Sequence, residues 1–162
     1  MDNSHIEDTL DEVQNLFNQK PDNVETGLDV DTPEMIQLRK ACRLLEAARL
    51  LKSENGYYTV VIETSFTAVE RTLQFYLIEN NFLDPDEYID HREVYERSSK
   101  TGVYSEGFGE KLIALWRNNR SRSYYREGVG SEDRADKMLE LAEEIHNHVL
   151  QLSGKSHECI CE

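Results

Sequence analysis

Apolar residues recur at helical spacing along most of this chain. Ile6, Leu10, Val13 and Phe17 fall at steps of four, three and four on an otherwise acidic segment, which predicts an amphipathic helix. Ser4 and Glu7 stand three apart at its start, the spacing of a capping box. Lys20 and Pro21 end it, and residues 21 to 31 read as an acidic linker. The arm is free to pack on the main body or on a partner, and packing on the body is the more ordinary outcome. Thr32 and Pro33 open the next helix with a cap hydroxyl and a proline whose missing amide costs nothing in the first turn. Met35, Leu38, Cys42, Leu45 and Ala48 form its stripe before Asn55 and Gly56 stop it. Cys42 sits on that stripe and reads as a small core residue.

A second long helix is predicted over residues 57 to about 80. Tyr58, Ile62, Ser65, Val69, Leu73 and Tyr76 make its main face, widened by Val61, Ala68 and Leu77. Ser65 and Ala68 are small enough to let a neighbouring helix approach closely. Glu70 and Arg71 read as solvated or paired. Asp84, Pro85, Asp86 and Glu87 repeat the cap-and-proline signature, predicting a third helix to about Ser98. Gly102, Gly107 and Gly109 mark a loop. It lacks the full glycine-to-lysine order of a phosphate loop. A fourth helix begins near Phe108 and carries Leu112, Leu115 and Trp116 inward. After Gly128 to Ser131, residues Ala135, Met138, Ala142, Ile145, Val149 and Leu152 give the cleanest stripe, a core face or a dimer seam. The tail from Ser153 is expected to fray. The fold class is therefore all-α: an up-and-down bundle of four to five helices with an extra N-terminal helix. Its parts are residues 1–31 (arm and linker), 32–153 (bundle) and 154–162 (flexible tail).

The totals fit that reading. The chain has 162 residues, 38% hydrophobic and 31% charged, enough for one domain with a core. No run approaches the roughly 18 apolar residues of a membrane span, and the acidic N-terminus lacks signal-peptide order. Three cysteines, Cys42, Cys159 and Cys161, do not make a disulfide framework, so the expected compartment is a reducing cytoplasm. His146 and His148 are two apart and face different ways on a helix. His157, Cys159 and Cys161 lack a fourth ligand, so neither a metal nor another cofactor is assigned.

Charge changes the picture most. The net charge is -14, which disfavours general adhesion to nucleic acid. A contact with a polyanion must be local, or made where salt screens the repulsion. An acidic surface with more Arg than Lys also suits a salt-loving host. Against that background, Arg117, Arg120, Arg122 and Arg126 lie in a stretch with no acidic residue from Leu112 to Arg126; the rest of the chain carries -18. Guanidinium groups hold phosphate through paired hydrogen bonds. Asn118 would orient the anion, and Tyr124 and Tyr125 would stack or donate. The plainer alternative is a solvated helix end whose arginines pair with surplus carboxylates.

The passage ARLLKSENGYYTVVIETSFTAVERTL, the glycine loop, the R-x(n)-Y segment and a Ser-Glu-capped last helix together resemble the HEPN domain over about residues 33 to 152. That resemblance implies a helical bundle that dimerises, in a toxin–antitoxin or defence setting, and acts as a metal-independent endoribonuclease. Two registers fit. Against the family's R-N-x-x-x-H-x-Y motif, Arg117 and Asn118 take the first pair, Arg122 the histidine position and Tyr124 the tyrosine. These four are the implied catalytic residues. Against R-x-x-A-x-Y, Arg120 and Tyr125 bound the motif with Ser123 at the alanine. Arg117, Arg120, Arg122, Tyr125 and Arg126 are the implied RNA- or phosphate-binding set. In both registers no histidine stands at its place, and arginine does not act as a base near neutral pH. A degenerate or weak site follows, or one whose base comes from His91 or His146 on another helix. Tyr124 also inherits the family's adenylylation by a cognate nucleotidyltransferase. The rival expectation is a non-catalytic interaction module partnering such an enzyme.

Overall fold

The computed structural model describes residues 2–121 and 130–161. Among these the chain is all-α, with six α-helices and no strand. They are α1 (Ser4–Phe17), α2 (Pro33–Ser53), α3 (Tyr58–Glu79), α4 (His91–Lys100), α5 (Glu106–Trp116) and α6 (Glu132–Ser153). A π-helical turn, Arg117–Ser121, extends α5, and a short 3-10 turn, Ser156–Glu158, follows α6. No described helix is long and apolar enough to cross a membrane.

The centre of the bundle is α3, which packs against α2, α4 and α6. Its buried residues are Val61, Ser65, Phe66, Ala68, Val69, Glu70, Thr72, Leu73, Phe75 and Leu77. These surround most of the helix, so the face inferred from spacing is only part of what it buries. Ser65 is fully covered and returns its hydroxyl to the Val61 carbonyl at 2.7 Å. Facing α3, α2 buries Leu38, Ala41, Cys42, Leu45 and Ala48, and α6 buries Ala135, Met138, Leu139, Ala142, Ile145, His146, Val149 and Leu150. Both stripes thus form core except at their ends, where Met35 is half-buried and Leu152 exposed.

The starts of α4, α5 and α6 carry side-chain caps, whereas α1 begins after Asn3 without the expected Ser4 capping box and α2 begins after Thr32 without a hydroxyl cap bond. Asp90 accepts from the Glu93 amide at 2.8 Å, and the Ser105 and Ser131 side chains accept from the amides of Phe108 and Arg134. The expected start near Asp84 is corrected: Asp84–Glu87 forms a turn, with the Glu87 amide on the Asp84 carbonyl at 3.0 Å, and α4 begins only after Asp90. Both sites carry an aspartate cap, and the one followed by α4 won.

The ends of the chain depart further from expectation. None of α1 is buried; Ile6, Leu10, Val13, Leu16 and Phe17 are exposed, so the arm does not pack on the bundle. The tail, expected to fray, is instead docked. Gly154 takes a left-handed φ of 65°, and the Lys155 and Gly154 amides reach the Leu150 and Gln151 carbonyls. That is a Schellman stop, which reverses the chain. Lys155 pairs with Glu79 at 3.3 Å and Glu158 with Arg39 at 3.2 Å. Cys159, Ile160 and Cys161 then pack on the core cluster. At Gly27 (φ +87°) a Cβ would lie 2.3 Å from Ile160, so this glycine makes room for the returning tail.

Two opposite outcomes check this architecture by urea denaturation. Leu73→Ala should destabilise by about 2–5 kcal/mol as a core truncation, while removing residues 1–20 should change the bundle's stability by no more than about 0.5 kcal/mol, as for other surface changes.

Candidate functional site

One carboxylate on α3 gathers the polar groups around the end of α5. Glu70 is only 5% exposed, and a charge so placed must be paired. Its Oε1 accepts from Arg120 Nη1 at 2.7 Å and from the Tyr95 hydroxyl at 3.1 Å; its Oε2 lies 2.6 Å from His91 Nδ1. Arg120 also reaches Thr67 Oγ1 at 3.4 Å and sits 6.0 Å above the Phe66 ring. Burial, reinforced by the Glu70 carboxylate, pushes the Tyr95 hydroxyl well above its ordinary range. It therefore remains a donor. The π-helical turn places Arg120 on this carboxylate, and such turns recur at functional positions.

His91 differs from its partners in being open. Its side chain is 60% exposed while Glu70 holds its Nδ1, leaving Nε2 as the nitrogen available to a ligand. A carboxylate that orients an imidazole in this way sets which ring nitrogen carries the proton. Arg120 and His91 are thus brought to one carboxylate from positions 29 residues apart in the chain.

The sequence-derived site residues divide into three groups. Arg117 and Asn118 lie exposed on the π-helical turn. Arg120 turns inward onto Glu70. There its guanidinium pairs with a buried carboxylate, as the plainer alternative expects of an arginine in this stretch. Arg122, Tyr124, Tyr125 and Arg126 lie outside the described residues. The far end of that stretch is anchored: the Gly130 amide bonds Thr59 Oγ1 at 3.1 Å, and a Cβ at Gly130 would lie 2.4 Å from the Thr59 nitrogen. Spacing gave no reason to single out Glu70, and only its burial reveals it.

A second cluster lies where α2, α6 and the tail meet. Cys42, His146, Cys159 and Cys161 place their ligand atoms within 4.8 Å of one another. Cys42 and His146 are both 1% exposed. His146 Nε2 is 3.7 Å from Cys42 Sγ, 3.5 Å from Cys159 Sγ and 3.4 Å from Cys161 Sγ. The Cys42 and Cys159 sulfurs are 3.9 Å apart. His146 Nδ1 meets Thr72 Oγ1 of α3 at 3.0 Å. A hydrogen bond from the Cys161 thiol draws Cys42 down to about 4, while that contact and burial push Cys161 far above the usual thiol range. Burial also raises Cys159. One thiolate therefore discourages the next, as like charges in one pocket must.

His148 stays apart from His146 as their spacing implies, whereas His157, grouped by sequence with Cys159 and Cys161, is not in the cluster. His148 faces away, its Nε2 2.6 Å from the Val103 carbonyl, and His157 lies beside Glu158 at 3.5 Å. The expected missing fourth ligand and rigid loop are both corrected. Two further donor side chains, Cys42 and His146, come from helices and lie 104 positions apart, and the Schellman stop with its ion pairs fixes the tail.

A family model described as Domain of unknown function (DUF8154) matches residues 1–161, and the chain belongs to that family. No curated protein and no solved structure matches it.

Glu70→Ala would leave Arg120 uncompensated and Tyr95 without its acceptor. It should cost about 3–5 kcal/mol in urea unfolding, the range for breaking a buried pair from one side, and a cost below about 1 kcal/mol would show that the carboxylate is not the hub.

Proposed function

We propose that this family member is a HEPN-like helical protein that binds RNA or a nucleotide beside α3, α4 and the π-helical turn, with a slow metal-independent endoribonuclease activity. The single observation that supports it most is Glu70 holding Arg120 and His91 together. The motif resembled in sequence lacks its histidine, and His91 offers an imidazole at the same arginine from another helix. In this reading His91 Nε2 takes the proton of a 2′-hydroxyl as it attacks the adjacent phosphorus, forming a cyclic phosphate while the 5′-oxygen leaves with a proton from water. Arg117, exposed on the turn, faces the phosphate, and Arg120 acts mainly by fixing the turn. Arg122, Arg126, Tyr124 and Tyr125 would extend the contact along the strand. Cleavage is slow because Glu70 offsets the positive charge that would stabilise the phosphorane. The protein works as a homodimer in a reducing cytoplasm, in a toxin–antitoxin or defence setting.

A specific observation favours a second reading. The 14-residue α1 buries nothing and exposes Phe17 to 86%, and an isolated helix of that length is marginal in water. An interaction module, with a nucleotidyltransferase-type partner covering α1, accounts for that stripe.

The two separate by binding and cleavage of a labelled single-stranded RNA without added divalent cation. Arg117→Ala should weaken binding by about 1.5–3 kcal/mol, the worth of a charge-assisted hydrogen bond. His91→Ala should preserve binding and lower cleavage by about 100-fold or more. RNA that neither binds nor is cut, while the full chain captures a protein that the chain lacking residues 1–20 does not, would establish the second reading instead.

A further inference from the structure

We propose that Cys42, His146, Cys159 and Cys161 form a structural zinc site that fastens the C-terminal tail to the bundle. Tetrahedral zinc with Zn–S near 2.3 Å and Zn–N near 2.0–2.1 Å requires S···N edges of about 3.6 Å and S···S edges of about 3.8 Å. The three S···N separations are 3.4, 3.5 and 3.7 Å, and the Cys42–Cys159 S···S separation is 3.9 Å. Ordinary core packing does not ask four side chains from three parts of the chain to set these edges. Three sulfurs and one imidazole are also the donor set of closed structural sites, with no coordination position left for water.

The surroundings support the same assignment. When Nε2 ligates, His146 carries its proton on Nδ1, where Thr72 Oγ1 is 3.0 Å away and accepts it. This is the outer contact that fixes a ligating ring. Thr72 itself is fully buried. The Cys161 amide donates to Cys159 Sγ at 3.4 Å, which suits a sulfur that carries charge. Without a cation, His146 Nε2 is buried against thiols alone, and sulfur is a weak hydrogen-bond partner. On binding, zinc replaces the protons of those thiols that carry one, and the protons leave to water. A disulfide between Cys42 and Cys159 is the competing fate. It requires an oxidant, and it assigns no role to His146 or Cys161.

The full chain, prepared under reducing conditions without a metal-affinity step, should contain one zinc per molecule. After removal of the metal, Co2+ should give intense tetrahedral d–d bands and a thiolate-to-metal charge-transfer band, both abolished by one equivalent of Zn2+. Zinc should raise the melting temperature of the metal-free chain. Cys161→Ser should weaken zinc binding by about 100-fold or more, and Thr72→Val by about 10- to 100-fold. A chain ending at Lys155, which keeps α6 and lacks two ligands, should show no charge-transfer band, and it serves as the control if Cys161→Ser does not fold. A pale octahedral Co2+ spectrum, a melting temperature indifferent to zinc, or native affinity in Cys161→Ser would each overturn the assignment.

Discussion

Almost every face of α3 is buried, and the rest of the structure depends on that constraint. A helix covered on all sides has to be apolar or supply a partner for each polar group it carries. Ser65 answers with its own backbone. Glu70 and Thr72 have no such local answer, so the neighbouring elements supply their partners. The carboxylate draws Arg120, Tyr95 and His91 from α4 and the π-helical turn. The hydroxyl meets His146 from α6, and His146 faces the three sulfurs. Both chemically distinctive places on this protein are therefore consequences of polar residues on one enclosed helix.

The two places differ in their exposure to solvent. Around Glu70 the groups run from fully covered Tyr95 to an imidazole open to solvent, a gradient that allows a ligand to reach a fixed, ionisable group. Around His146 all is covered or nearly so, and two of the four groups, Cys159 and Cys161, come from the tail rather than from the helices of the bundle. Arg39 and Lys155 hold the tail from outside through Glu158 and Glu79. These pairs are half-buried, and ion pairs that solvent still reaches contribute only modestly by themselves. The cysteines and Ile160 hold it from within, and Gly27 opens the linker to receive it. A molecule with so much acidic surface gains from fastenings that salt and mutual repulsion do not loosen.

Much of the architecture is legible in the sequence because helices announce themselves locally. The stripes through Leu38 and Leu45, and through Met138 and Ile145, identify core faces from spacing alone. Two competing caps, at Asp84 and Asp90, are not ranked by local pattern, so the start of α4 is not readable. The sites are harder. Glu70 lies in a run that looks solvated, and nothing short of burial tells a paired surface carboxylate from a hub. Arg120 belongs to a cationic stretch by sequence, yet folding turns it toward an anion on another helix. Cys42 and Cys159 are separated by 117 positions, so their meeting leaves no spacing signature. His146 hides on an apolar stripe, where a satisfied core histidine is the ordinary expectation. What local pattern misses in each case is a contact closed by tertiary packing.

Long-range 1H–15N correlation spectra of the imidazole rings, recorded on the full chain at mildly alkaline pH, test the governing role of α3 most directly. His91 and His146 should both appear as the Nδ1–H tautomer, held by Glu70 and Thr72, whereas His148 should carry its proton on Nε2, toward the Val103 carbonyl. If His91 and His146 instead show the Nε2–H tautomer or exchange freely between the two, the polar residues of α3 do not organise these sites.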